Sequence, residues 1–107
     1  MKNNYIQIET TFANETDAEK VAKLLLDKCL VACAQYCEIT SMYTWEGQQR
    51  KEKEVLLKVK TQAEFYKDCE KLIKETHPYK VPQITVTAFD GSEDYLDWVR
   101  GSTKKII

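Results

Sequence analysis

The fold is decided by residues 31–60, which read VACAQYCEITSMYTWEGQQRKEKEVLLKVK. The stretch has no proline, and its only glycine lies in the segment Glu46-Gly47-Gln48. Glycine accepts a positive φ, so this segment predicts a tight turn between two strands rich in β-branched and aromatic residues. Strands over about 31–45 and 50–60 are far longer than usual. We therefore predict a hairpin that projects beyond its own domain, with room for a bulge near Glu38.

The segment before the hairpin predicts a strand followed by an amphipathic helix. Residues 5–12 are rich in β-branched and aromatic side chains, and Ile6 and Ile8 are two apart, the period of a half-buried strand. Thr16 and Glu19 have the spacing of a capping box, which predicts that a helix begins there. The predicted apolar face of this helix consists of Ala18, Val21, Ala22, Leu25 and Cys29.

The segment after the hairpin repeats this pattern. Thr61 and Glu64 have capping-box spacing, and the helix that they predict ends before Pro78, because the residue before a proline avoids the α region. Residues 83–89 alternate as a strand, and 93–102 predict a short terminal helix. The predicted apolar face of the second helix consists of Phe65, Cys69, Leu72, Ile73 and Thr76.

The order of elements is β-α-β-β-α-β plus a C-terminal helix, which is typical of the ferredoxin-like α+β sandwich. The 107 residues suffice for one core, so we expect a single domain over 1–107. Both main helices should cover one face of the sheet. The other face would lie bare, and a second copy of the chain is its natural cover.

Composition and charge exclude several classes of protein. The net charge is −1, so there is no basic field to hold a nucleic acid. The longest apolar run, residues 29–34, is far below the ~20 residues needed to span a bilayer. No apolar leader is visible at the N-terminus, which favours a cytoplasmic location. In that location we expect the four cysteines to be free thiols that are small and buried.

Few residues of the chain offer catalytic or metal-binding chemistry. Cys33 and Cys37 in one strand would be about 13 Å apart, too far to share a metal ion. His77 is the only histidine, and it either caps the end of the second helix or acts as a ligand or proton carrier. With three glycines and one histidine, the chain offers little support for a phosphate loop or a serine triad.

Two polar residues and four aromatic residues are candidates for a binding cleft. Glu54 and Lys60 fall on one side of a strand, where they form either a solvated face or, under a neighbouring subunit, the lining of a cleft. The aromatic candidates for this cleft, which would otherwise pack at an interface, are Tyr43, Trp45, Tyr79 and Trp98.

Four segments carry a resemblance to a known family: Leu30-Val-Ala-Cys-Ala34, Thr40-Ser-Met-Tyr-Thr-Trp-Glu-Gly47, His77-Pro-Tyr-Lys-Val-Pro-Gln-Ile84 and Tyr95-Leu-Asp-Trp98. In order and spacing the chain resembles the CutA family of divalent-cation tolerance proteins over nearly its full length. The matching positions are Cys33, Tyr43, Trp45, Glu54, Lys60, His77, Pro78, Tyr79, Pro82 and Trp98.

The resemblance implies a ferredoxin-like, non-enzymatic homotrimer that is joined through its long hairpins and is similar to the trimeric PII signalling proteins. It implies a link to tolerance of copper and other divalent metals. A metal ion would bind at His77 and Cys33. A small ligand would lie in a cleft between subunits lined by Tyr43, Trp45, Glu54, Lys60, Tyr79 and Trp98.

The chain departs from the family pattern at four positions. Lys80 and Gln83 stand where the family usually has glutamate. Thr10 and Thr76 stand where copper-binding relatives have cysteine and histidine. These departures remove candidate metal ligands near His77.

Two alternative functions remain open from the sequence. The first is a PII-like signalling or scaffold trimer that binds a protein partner and has no metal role. The second is an enzyme in which His77 acts as acid or base, with Lys60 or Glu54 as its partner.

Overall fold

The structure is a computed structural model of the chain, and it describes residues 4–104. The two ends of the predicted domain, residues 1–3 and 105–107, lie outside the described residues. The elements are β1 (Tyr5–Phe12), α1 (Glu15–Asp27), β2 (Cys33–Trp45), β3 (Gln48–Gln62), α2 (Tyr66–Thr76), β4 (Thr85–Ala88) and α3 (Glu93–Ser102), with a 3-10 turn (Ala63–Phe65) before α2.

The four strands form one antiparallel sheet in the order β2-β3-β1-β4. This order confirms the predicted ferredoxin-like α+β fold. Strands β2 and β3 pair without interruption from Cys33 opposite Lys60 to Trp45 opposite Gln48. The bulge expected near Glu38 is wrong, because Glu38 pairs directly with Val55 and neither strand carries an extra residue.

The hairpin turns where the sequence predicts, but the turn has two residues, Glu46 and Gly47, and Gln48 of the predicted turn already lies in β3. Glu46 and Gly47 both have positive φ, 51° and 76°. Two successive residues with positive φ are typical of the type I′ turn, whose twist matches that of the flanking strands. The turn therefore sets the register of the whole hairpin.

Replacing Gly47 with alanine is expected to lower the free energy of unfolding by about 1 kcal/mol, because a Cβ disfavours the left-handed conformation. A Cβ at Gly47 would have no atom within 4 Å, so the cost would come from backbone strain and not from a clash. Urea denaturation of Gly47→Ala measures it. The matched control is Gly91→Ala, which also meets open space but needs no positive φ, and an equal loss there would contradict the turn argument.

The main core lies between one face of the sheet and helices α1 and α2. Alternation along the strands sends every second side chain to this face. The fully buried members from the strands and the two helices include Ile8, Phe12, Val21, Leu25, Leu57, Val59, Cys69 and Ile73. On the opposite face α3 covers one end, where Val99 packs on Tyr5 and Ala32. The loop after α2 covers Glu54 near the other end of this face. The part between them, around Leu56 and Ile39, is not covered by this chain, as predicted for this face.

Both predicted capping boxes are wrong. Asn14 caps α1, since its Oδ1 accepts a hydrogen bond of 2.8 Å from the backbone N–H of Asp17, and the helix has already begun when Thr16 is reached. Thr61 remains in β3, opposite Ile6, and its hydroxyl donates to the carbonyl oxygen of Leu30 at 2.6 Å. In α1 an earlier residue caps the helix, and at Thr61 a backbone carbonyl takes the hydroxyl that the capping box would have used.

Smaller differences concern where the helices and strands end. Cys29 lies beyond the end of α1 with a φ of 57° and is not part of the helical stripe. Thr76 is exposed in the last turn of α2, and its hydroxyl donates back to the carbonyl oxygen of Leu72. Strand β4 spans Thr85–Ala88 and is shorter than the predicted 83–89, although the backbone N–H of Phe89 still donates to the carbonyl oxygen of Tyr5 at 3.1 Å.

Candidate functional site

A cleft of about 890 Å³ opens at the far end of the hairpin. Its walls come from β2 and β3 near the turn, from the end of β1, and from the loop that follows α2. The residues that line it are Thr11, Ala13, Ser41, Met42, Tyr43, Trp45, Glu52, Lys53, Glu54, Pro78, Tyr79, Lys80, Val81, Pro82 and Gln83.

A buried carboxylate lies at the inner wall of the cleft. Glu54 is only 7% exposed, and the hydroxyl of Tyr79 donates a 2.7 Å hydrogen bond to its Oε2. Alternation along β3 places Val55 in the core and Glu54 on the opposite face of the sheet, beneath the loop that carries Tyr79. The pKa of Tyr79 is raised, mainly by burial and further by the hydrogen bond and charge of Glu54. Tyr79 is therefore a stable donor at neutral pH.

A second tyrosine–carboxylate pair lies nearer the turn. The hydroxyl of Tyr43 on β2 donates to the carboxylate of Glu52 on β3. This hydrogen bond is the main cause of the raised pKa of Tyr43, with desolvation and the charges of Glu52 and Glu54 adding to it. Trp45 follows on the same face of β2. The cleft thus combines aromatic rings with two carboxylates.

His77 anchors the loop that carries Tyr79. It directly follows α2, it is 9% exposed, and its ring stacks on Phe12 with the ring centroids 4.3 Å apart. Its Nε2 lies 2.8 Å from the carbonyl oxygen of Thr11, and its Nδ1 accepts the backbone N–H of Tyr79 at 3.1 Å. These partners define a neutral ring protonated at Nε2. The imidazole holds the strand end and the loop together, and it does not bond to the carbonyls of α2.

The free energy of unfolding is expected to fall as the pH drops below about 6.5, the ordinary pKa of histidine. The pKa of His77 is lowered, chiefly by burial, which outweighs the hydrogen bond to Thr11. The unfolded chain therefore binds the proton first. The stability that the neutral ring confers is complete above the unfolded pKa and is lost as the pH falls towards the lower folded pKa.

Urea titrations between pH 7.5 and 5.5 measure this effect. The slope is at most about 1.4 kcal/mol per pH unit, since one proton is involved. The control is His77→Gln, which removes the single histidine of the chain and should show a clearly smaller slope in this window. A wild-type stability that stays flat or rises on acidification would contradict a buried neutral imidazole.

Four of the six predicted cleft residues line this one cleft: Tyr43, Trp45, Glu54 and Tyr79. Lys60 lies six residues from Glu54 along β3, about 20 Å away at the rise of a strand. Its Nζ donates to Oε1 of Gln35 at 2.6 Å. Trp98 lies on α3, where it is exposed and packs against Tyr95. Within one chain these two residues are not part of the cleft.

The two predicted metal ligands are not brought together in one chain. Cys33 pairs with Lys60, which in turn pairs with Gln7, whereas His77 bonds to Thr11. Cys33 therefore lies level with Gln7 of β1 and His77 lies beside Thr11, and these two positions are four residues, or about 13 Å, apart along the strand. In the part of the chain that the structure describes, no group of three or more His, Cys, Asp or Glu side chains is arranged to hold a metal ion.

The cysteines are free, but their burial differs from the prediction. Cys69 is buried in the core, and desolvation raises the pKa of its thiol to about 12. Cys37 is exposed, because the face of β2 on which it lies is not covered by this chain. Cys29 and Cys33 are half-buried. Beside Cys33, the pKa of Tyr95 is raised by burial and by the neighbouring thiol.

The four positions of departure have different surroundings. Lys80 and Gln83 line the cleft, so the glutamates implied by the resemblance would have lain there. Thr10 is buried on the helix-facing side of β1, and Thr76 is exposed at the end of α2. Sequence reasoning missed the pairing of Glu52 with Tyr43, which becomes visible only once the register places Tyr43 opposite Arg50.

Comparisons with known proteins agree with this fold. The family model described as CutA1 divalent ion tolerance protein matches residues 6–102. This chain belongs to the CutA1 family. A CutA1-family relative from Pyrococcus horikoshii, named divalent-cation tolerance protein CutA, is 43% identical over 101 residues, which cover 94% of this chain and 99% of the relative.

Solved structures of the CutA1 family superpose closely on this chain. The crystal structure of CutA1 from Pyrococcus horikoshii has a TM-score of 0.90 at 42% identity and covers 94% of this chain and 99% of its own. The structure of the periplasmic divalent cation tolerance protein CutA from Archaeoglobus fulgidus has a TM-score of 0.91 at 31% identity, with the same coverage. In this CutA1-family chain, no helix within residues 4–104 is long and apolar enough to cross a lipid bilayer.

Proposed function

We propose that the protein is a non-enzymatic homotrimer of single-domain subunits that acts in divalent-cation tolerance by binding a small ligand in the cleft at the end of its hairpin. The observation that carries this proposal is the pairing of a nearly buried Glu54 with the hydroxyl of Tyr79 inside a cleft of about 890 Å³. The second oxygen of this carboxylate has no hydrogen bond within residues 4–104 and is not fully buried, so a bound ligand can reach it from the cleft.

The trimer has support from the uncovered face of the sheet. Leu56 and Ile39 are half-buried apolar residues on this face, at the middle of the hairpin. Covering it with a neighbouring hairpin would remove apolar area from water and pair the free edge of β2. Lys60 and Trp98 lie outside the cleft of their own chain, so they would join the predicted set of ligand-binding residues only through a neighbouring subunit.

The proposed ligand site is the cleft and not a metal centre built from His77 and Cys33. Both ring nitrogens of His77 already bond to backbone groups, so coordination or acid-base catalysis would break one of these bonds. A specific copper site therefore remains a hypothesis that a metal titration tests. The cytoplasmic location also remains a prediction, since the Archaeoglobus fulgidus relative is described as periplasmic.

Native mass spectrometry of the reduced protein tests both assembly and metal uptake. We expect an assembly of three 12.5 kDa chains and no stoichiometric uptake of Cu(II) or Zn(II) that depends on His77. Uptake of one ion per subunit that disappears in His77→Ala would contradict this expectation and indicate that the protein chelates metal ions. A monomer at micromolar concentration would contradict the trimer.

A pair of surface variants locates the interface. Leu56→Asp places a charge on the uncovered face and should dissociate the trimer, because a buried unpaired carboxylate is strongly unfavourable. Leu26→Asp is the control, since Leu26 is an exposed leucine of α1, on the helix side of the sheet. Dissociation of both variants, or of neither, would contradict an interface on this face.

A further inference from the structure

We infer that the ligand of the cleft is an organic cation that carries N–H groups, such as an alkyl diamine or polyamine. The inference rests on the proposed function, because it names the chemical class of the ligand at that same site. The observations that carry it are the two carboxylates of the cleft, the aromatic rings beside them, and the missing counter-charge of Glu54.

Glu54 has one oxygen without a protein partner in the part of the chain that the structure describes. Its Oε2 accepts the hydrogen bond from Tyr79, whereas within residues 4–104 its Oε1 forms neither a hydrogen bond nor an ion pair. An ionised carboxylate with so little solvent contact is stabilised by a cation and by further donors. A protonated amine offers both, since it brings a positive charge and two or three N–H groups.

The remaining walls suit the carbon chain and the second charge of such a ligand. Glu52 is exposed at the outer part of the cleft. It comes two residues before Glu54 in β3 and therefore lies on the same side of the strand. Tyr43, Trp45 and Tyr79 offer ring faces on which an ammonium group and its methylene groups pack. The raised pKa values of both tyrosines reflect in part the negative charge of these carboxylates.

Two lysines also line the cleft and would favour the opposite ligand class, an anion. Lys53 lies between Glu52 and Glu54 on β3, so alternation points it to the other side of the strand. Lys80 is exposed in the loop. Across residues 4–104 neither lysine pairs with Glu52 or Glu54. Among the residues that line the cleft of one chain, Glu54 is therefore left without a cationic partner, and this favours a cationic ligand.

The donor set is a poor match for a metal ion. Within residues 4–104 no group of three or more His, Cys, Asp or Glu side chains is arranged to hold an ion, and the residues that line the cleft include no histidine or cysteine for zinc or copper. The volume of the cleft, about 890 Å³, is suited to an extended organic molecule.

Isothermal titration with three four-carbon probes tests the inference on the intact protein. The probes are butane-1,4-diamine, succinate and butane-1,4-diol, which share a chain length and differ in charge. We expect binding of the diamine only. Glu54→Gln should weaken it by about tenfold or more, because the charged partner is lost while an acceptor for Tyr79 remains. Glu52→Gln should weaken it less, and the control Glu75→Gln, on an exposed site of α2, should leave it unchanged.

The outcomes separate the ligand class from the cleft itself. Binding of succinate or of the diol at least as tightly as the diamine would overturn the cationic ligand and leave the cleft as a binding site. No binding of any probe to an intact trimer would count against the proposed function as well. Equal diamine affinity in Glu54→Gln, Glu52→Gln and wild type would place the bound amine elsewhere and overturn the inference. Thermal unfolding of each variant verifies that it is folded.

Discussion

Replacing Phe12 with alanine is expected to lower the free energy of unfolding by about 3–5 kcal/mol, the range for a large aromatic residue in a core. Phe12 is fully buried at the end of β1, opposite Val55. Its ring also stacks on the imidazole of His77, with an angle of 10° between the two ring planes. The substitution therefore creates a cavity and removes the support of the ring that anchors the loop beside the cleft.

Urea denaturation at pH 7.5 and at one fixed protein concentration measures this loss, since the stability of the proposed trimer would depend on concentration. Phe12→Leu is the matched variant, because it keeps most of the apolar volume and should cost clearly less than Phe12→Ala. The pH dependence of His77 should also weaken in Phe12→Ala, since water then reaches the imidazole. A loss below about 1.5 kcal/mol for Phe12→Ala would show that this part of the core is loosely packed.

The fold was largely predictable because its longest element has a simple signal. One glycine within residues 31–60 leaves one place for a turn, and the alternation on either side assigns the faces of the sheet. The caps were not predictable in the same way. Thr16 and Thr61 have the right spacing, but Asn14 and the carbonyl oxygen of Leu30 provide other hydrogen bonds. Local sequence does not show which partner is favoured.

The candidate site was predictable where it follows from strand register. Tyr43 and Trp45 on β2 and Glu54 on β3 share a face and lie near the same turn, so a hairpin brings them together. Lys60 entered the predicted set because it falls on the same side of its strand as Glu54, and the register places it towards the other end of the hairpin. A cleft that includes it requires a second subunit, which one sequence cannot position.

The role of His77 could not be read from the sequence at all. Its partner Thr11 is 66 positions away along the chain, and only the packed sheet and helix bring the two together. The structure links Thr11, His77, Tyr79 and Glu54 by successive hydrogen bonds that run from the end of β1 to the wall of the cleft. His77 is therefore a positioning residue for Tyr79, which itself faces the proposed ligand.

Replacing Thr61 with valine is expected to lower the free energy of unfolding by about 1–3 kcal/mol, the cost of leaving a buried polar group unsatisfied. Thr61 is 0% exposed, and its hydroxyl donates to the carbonyl oxygen of Leu30 at 2.6 Å. Valine has nearly the same shape but no donor. The only other side-chain contact to that carbonyl within the described residues is the weak thiol donor of Cys69 at 3.6 Å.

Thr10 offers the same substitution with the opposite expectation. It is 1% exposed on the same face of the sheet, and its hydroxyl has no hydrogen-bond partner within residues 4–104. Thr10→Val therefore removes an unsatisfied buried group and should leave stability unchanged or raise it by up to about 1 kcal/mol. Parallel urea titrations compare the two variants. Equal destabilisation would show that Thr10 has a partner in the assembled protein, whereas a difference of about 2 kcal/mol or more assigns the cost to the hydrogen bond of Thr61.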